Sequence, residues 1–151
     1  MCHETTARPP LPPIAGGSGG ASSGRLVLDA ADGNRFRAFP ATANDPEAAG
    51  IVTLPDVRGL HPFYEDLAVR FAEAGIHAMA MDYFGRTAGI GERDEDFDFM
   101  AHVPQVTTEC CGRTWPRRSR NSDPRPGEPQ NAFSPFGFCR AARFSFNQAA
   151  D

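Results

Sequence analysis

Lysine is absent from this 151-residue chain, and all fifteen basic side chains are arginine. With 15 glycines, 14 prolines and abundant alanine, that points to a GC-rich coding sequence, an inference about codons rather than folding. Long apolar runs are missing too, and none approaches the roughly 20 residues a membrane-spanning helix needs. The first residues lack the basic-then-apolar order of a secretory signal, so a cytoplasmic location is the expectation. Cysteine is scarce: Cys2, Cys110, Cys111 and Cys139 form neither a C-x-x-C pair nor a disulfide framework. Cys2-His3-Glu4 are metal-ligand types, but three adjacent residues on a terminal segment lack the held geometry and supporting contacts of a site. Positive charge is not in excess. A net charge of -4 gives no reason to expect nucleic acid as the main partner.

A hydrophobic content of 40% is enough for the core of one domain, but the apolar residues are concentrated between positions 25 and 103. Residues 1–24 are rich in proline, glycine and serine and read as a disordered tail, unable to bury enough apolar surface to offset its ordering entropy. Arg25–Asp29 and Arg35–Phe39 read as strands joined by the turn signal Ala31-Asp32-Gly33-Asn34, an antiparallel hairpin. Residues 40–49, with Pro40 and Pro46, read as a surface loop.

From Gly50 to Arg86 the pattern is strand, loop, helix, strand, a parallel βαβ unit. Ile51–Leu54 is a short buried-strand run. Pro62 suits a first helical turn, and Phe63, Leu67, Phe71 and Ala74 fall on one helical face, with Glu65, Asp66, Arg70 and Glu73 around the rest. Gly75 suits the position past the helix end, and Ile76–Met81 is the second strand. Gly85–Gly91 reads as a loop, and the spacing of Phe97, Met100 and Ala101 predicts a short helix within Glu92–Val103. The chain changes character at Cys110. Residues 110–132 carry four prolines, five arginines and almost no apolar residue beyond Trp115, which predicts disorder.

Three blocks resemble the dienelactone hydrolase family of the α/β-hydrolase superfamily. They are Leu54-Pro55-Asp56-Val57-Arg58-Gly59-Leu60-His61, Phe71-Ala72-Glu73-Ala74-Gly75 and Met81-Asp82-Tyr83-Phe84-Gly85-Arg86. The resemblance implies the N-terminal part of an α/β-hydrolase sheet over residues 25–109. It also implies a carboxylic-ester hydrolase of carboxymethylenebutenolidase type, acting on a small-molecule ester or lactone without a cofactor. The family's nucleophile is a cysteine in a G-x-C-x-G-G turn. Gly137-Phe138-Cys139-Arg140-Ala141-Ala142 matches its first half, with alanines in place of both later glycines. Residues 133–151 therefore read as a remnant of the nucleophile elbow and the helix after it.

Carried over by position, Cys139 is the nucleophile, and the backbone N–H groups of Val57 and Arg140 form the oxyanion hole. Asp56 takes the place of the acidic residue that binds substrate and controls the cysteine. Arg93, and second Arg86, stands for the arginine that binds a substrate carboxylate. Plainer roles stay open: an unactivated thiol for Cys139, loop capping for Asp56, a surface pair with Glu92 or Asp96 for Arg93. Arg58 and His61 could line the same crevice or simply be structural. The triad histidine and aspartate of the family follow the nucleophile, whereas here only Asp151 does, so the chain reads as truncated and inactive by itself.

The arginine- and proline-rich stretch has its own explanation. With GC-rich codons for Cys110–Arg120, a one-nucleotide offset gives Leu-Arg-Pro-Asp-Val-Ala-Ala-Ala-Val-Ala, a pattern suited to the helix expected before the elbow. A frameshift would account for the composition, the lost periodicity and the return to family-like sequence at Gly137. Two readings of other classes remain: a non-catalytic fragment or binding module whose partial sheet must pair or aggregate, and an arginine-rich nucleic-acid binder. Oligomeric state is not readable.

Overall fold

Antiparallel pairing at one side of a sheet gives way to parallel pairing at the other. The computed structural model describes residues 8–9, 22–30, 32–107 and 133–138. Their elements are β1 (Ser22–Ser23), β2 (Leu26–Asp29), β3 (Arg35–Thr42), β4 (Gly50–Leu54), α1 (Pro62–Glu73), β5 (His77–Met81), α2 (Gly85–Ala88), α3 (Phe99–His102), a 3-10 turn (Val103–Gln105) and β6 (Phe133–Gly137). The strand order is β1-β3-β5-β4-β6, with β2 also paired to β3. β3 is antiparallel to β1, β2 and β5, and β4 is parallel to β5 and β6. The hairpin and the βαβ unit are thus where the sequence places them. Among the described residues no helix is long and apolar enough to cross a membrane.

Alternation along the strands divides the core between two faces. One carries Phe36, Ala38, Val52, Leu54 and Met81, closed over by Phe84 and Val106. The other carries Ala41, Ala78 and Ala80 under α1. Phe63 is buried as expected, but the rest of the stripe that α1 buries is shifted from the expected one. Tyr64, Ala68 and Ala72 are buried, whereas Leu67 and Phe71 are only partly so. Alanines of the helix meet alanines of the sheet, which lets the two approach closely and leaves larger side chains to flank the seam. Glu65, expected on the polar face, is buried as well, because Arg25 Nε and Nη2 each donate to its carboxylate at 2.8 Å.

Other boundaries move for local reasons. β3 runs through Pro40 to Thr42, since Pro40 contributes its carbonyl, which accepts the Gly24 N–H at 3.3 Å. Ser22–Ser23, inside the expected tail, pair with Thr42 and Ala41. A four-residue helix occupies Gly85–Ala88 within the expected loop. The helix expected over 92–103 contracts to Phe99–His102 and its 3-10 extension. Asp94 accepts the Asp96 N–H on its side chain and the Phe97 N–H on its carbonyl, so the acidic series bonds to local backbone instead of opening a helix. The expected disorder of 110–132 and the elbow helix after residue 138 lie outside the described residues.

Candidate active site

β4 stands between β5 and β6, and its connection through α1 leads to β5. Open α/β sheets bind ligands at the carboxyl ends of their strands, and that end of β4 is the loop 55–61. Leu54 pairs with Gly137, and the Phe138 N–H donates to Leu54 O at 3.1 Å. The end of β6 thus runs beside the loop 55–61. Cys139 follows Phe138 in sequence, and both Cys139 and Arg140 lie outside the described residues.

Asp56 is held from every side. Its N–H donates to Tyr64 Oη at 2.9 Å, and its carbonyl accepts the Tyr83 hydroxyl at 2.7 Å and the Gly59 N–H at 3.0 Å. Its carboxylate accepts the Arg58 N–H at 2.9 Å, Arg58 Nη2 at 2.9 Å, and Arg58 Nε at 3.3 Å from both oxygens. The side chain is buried. Burial by itself would raise its pKa, but the Arg58 hydrogen bonds and charge outweigh burial, and the carboxyl sits below its ordinary range. Burial and then the Asp56 carboxylate push the Tyr64 phenol above its usual value, so it stays protonated. The loop capping offered as the plainer role for Asp56 is present in its geometry, since its carboxylate and carbonyl accept the Arg58 and Gly59 N–H groups. Among the described residues, the Val57 N–H has no hydrogen-bond acceptor.

His61 caps the start of α1 with its backbone and is buried. Its ring lies edge-on to Tyr64 at 4.9 Å between centroids, and Nε2 is 3.9 Å from Asp56 Oδ1. Of Arg58 and His61, both noted from the sequence as possible lining, Arg58 is thus bonded to Asp56 and the His61 ring stands beside it. The two tyrosines were not foreseen; both lie in blocks marked as strand end or helix, and no spacing rule ties either hydroxyl to the Asp56 backbone.

The two arginines proposed for a substrate carboxylate are both engaged. Arg93 is 4% exposed rather than on the surface; its Nη2 lies 2.9 Å from Asp82 Oδ2 and donates to Gly89 O at 2.6 Å. Its guanidinium carbon is 4.6 Å from the Phe97 ring centroid. Glu92, one of the two partners offered for Arg93, pairs instead with Arg37 at 2.9 Å. Burial pushes the Asp82 carboxyl up, against the pull of Arg93. Arg86 pairs with Asp32 of the hairpin turn at 2.7 Å.

A hollow of about 520 Å³, lined by Pro40, Thr42, Pro46, His77 and Met79 among others, opens where β5 begins. It is lined chiefly by apolar surface, and His77 Nδ1 is occupied by the Ala43 N–H at 3.1 Å. It lies at the opposite end of the strands from Asp56 and lacks the convergent polar groups of a reactive site.

A model of the dienelactone hydrolase family matches residues 36–151. Among solved structures, a protein titled as a dienelactone hydrolase of Klebsiella pneumoniae subsp. pneumoniae aligns with a TM-score of 0.55 and 17% identity, over 80% of this chain and 50% of its own. A protein titled m3DLH aligns with a TM-score of 0.52 and 17% identity, over 84% of this chain and 54% of its own. At that identity the likeness shows the fold, part of an α/β-hydrolase, and the chain spans about half the length of each. No curated protein matches significantly.

Proposed function

The chain belongs to the dienelactone hydrolase family, and on that premise we propose that it supplies the oxyanion and substrate side of a site that hydrolyses a small-molecule ester or lactone in the cytoplasm. The observation that supports this reading is the hydrogen bond from Phe138 to Leu54, which sets Phe138, the residue before Cys139 in sequence, beside the start of the loop of Asp56 and Val57. In the proposed reaction the Cys139 thiolate attacks the substrate carbonyl, and the N–H groups of Val57 and Arg140 receive the developing oxyanion. Asp56, kept ionised by Arg58, takes the role of the acidic residue that binds substrate and controls the cysteine. A substrate carboxylate reaching for Arg93 or Arg86 would have to displace Asp82 or Asp32. The family's triad histidine and aspartate follow the nucleophile, and after Cys139 this polypeptide offers only Asp151 for either role.

Accordingly the 151-residue polypeptide by itself should turn over an activated aryl ester no faster than buffer. Clear turnover that disappears in Cys139→Ser would show that the chain carries its own base and would overturn this division of roles.

A further inference from the structure

Gly59 closes the turn after β4 with φ +79. A Cβ at that position would lie 3.1 Å from Arg93 Cγ, 3.3 Å from Arg93 Cδ and 3.2 Å from Phe84 Cδ2, so the Arg93 stem rests directly on the turn backbone. The head of that side chain is fixed by Asp82, Gly89 O and the Phe97 ring. Asp82 is fixed in turn, because its Oδ1 accepts the Phe84 N–H at 3.0 Å and its own N–H donates to Arg37 O at 2.8 Å. Rigid contacts therefore run from β3 and the end of β5, through Asp82 and Arg93, to a residue two positions from Val57. A buried ion pair adds little net stability over an apolar pair of the same shape, but it fixes direction.

We infer that Arg93 is a positioning residue: it sets the Asp56–Gly59 turn, and with it the Val57 N–H, by bearing on Gly59 while Asp82 holds its guanidinium. The inference rests on the hydrolase reading of this loop. Its test does not use activity, so failure of one is separable from failure of the other.

Native-state amide hydrogen exchange on the 151-residue chain supplies the measurement. In Arg93→Ala, exchange of the Gly59 and Arg58 N–H groups should rise about tenfold or more, while the Val52 and Ala80 amides of the central strands keep their protection. Arg93→Lys, which retains a stem and a charge for Asp82, should restore most of the loss. If Arg93→Ala does not fold, Arg93→Met carries the test: the stem remains, Asp82 no longer holds it, and the same local acceleration is expected. Wild-type exchange at Gly59 and Arg58 in the folded variants overturns the inference. So does acceleration that only follows that of Val52 and Ala80, since that marks a residue contributing to global stability alone.

Discussion

At the scale of single residues, Asp56 shows how a buried carboxylate is kept charged. Removal from water would be costly without compensation, and three donor groups of Arg58 provide it. Because the folded pKa is lowered, the associated stabilisation is present above the unfolded value of about 3.9 and is lost as pH falls below it. Arg58→Leu keeps the backbone N–H but leaves burial largely unopposed, so the Asp56 pKa should move upward. At pH 7 the variant should be about 1–3 kcal/mol less stable than the parent. The gap should narrow toward pH 4, where protonation removes the uncompensated charge. Urea unfolding of both proteins at the two pH values checks this, and a gap that does not change with pH would show that Arg58 does not act through the Asp56 charge. The sequence placed Asp56 at a strand end and Arg58 within reach of the crevice. It could not show their mutual grip, because a pair two residues apart meets only when the turn closes, as the bond from Gly59 to Asp56 closes it here.

At the scale of elements, α1 and β5 were legible because Pro62, Gly75 and the apolar run of the strand are local signals. The buried stripe of α1 was less so. Hydrophobic spacing favours Phe63, Leu67 and Phe71, whereas Ala68 and Ala72 carry little hydrophobic weight and are buried because Ala78 and Ala80 oppose them across the seam. The size a position tolerates belongs to the facing surface, not to the helix alone. Ala68→Leu should therefore cost about 1–3 kcal/mol by overpacking, although leucine is an excellent helix former. By contrast, Arg70→Ala, which loses only a part-exposed pair with Glu73, should stay within about 0.5 kcal/mol. Thermal or denaturant unfolding distinguishes the two; a neutral Ala68→Leu would mean the seam has room. The same contest between local and tertiary signals explains Arg93. Its acidic neighbours pointed to a surface helix start, yet Asp82, eleven positions earlier, draws it inward, and no periodicity connects the two.

At the scale of the whole molecule, the described sheet ends at β6 on one side and at β1 and β2 on the other, and β6 is the end that lies beside the candidate site. β4 covers one edge of β6, and among the described residues no strand covers the other. Parallel sheets are ordinarily covered, and an open edge offers unpaired N–H and C=O groups to any other chain. Phe136 on that strand is 42% exposed and stacks edge-on against Phe138, so an exposed apolar ring lies on the strand that no other described strand covers. Solved structures of this fold run to about twice the matched length, so more chain is available to them beyond the matched part. The 151-residue polypeptide by itself should consequently self-associate: size-exclusion chromatography should show species larger than the 16.3 kDa monomer, increasing with protein concentration. Phe136→Lys should shift the population toward monomer without changing the circular dichroism spectrum, because a charge on an edge strand opposes pairing. A concentration-independent monomer with a folded spectrum would instead show that the β6 edge is already covered. Because the exit of β6 adjoins the loop of Asp56 and Val57, whatever occupies that edge also borders the crevice, and association and access to the candidate site should change together.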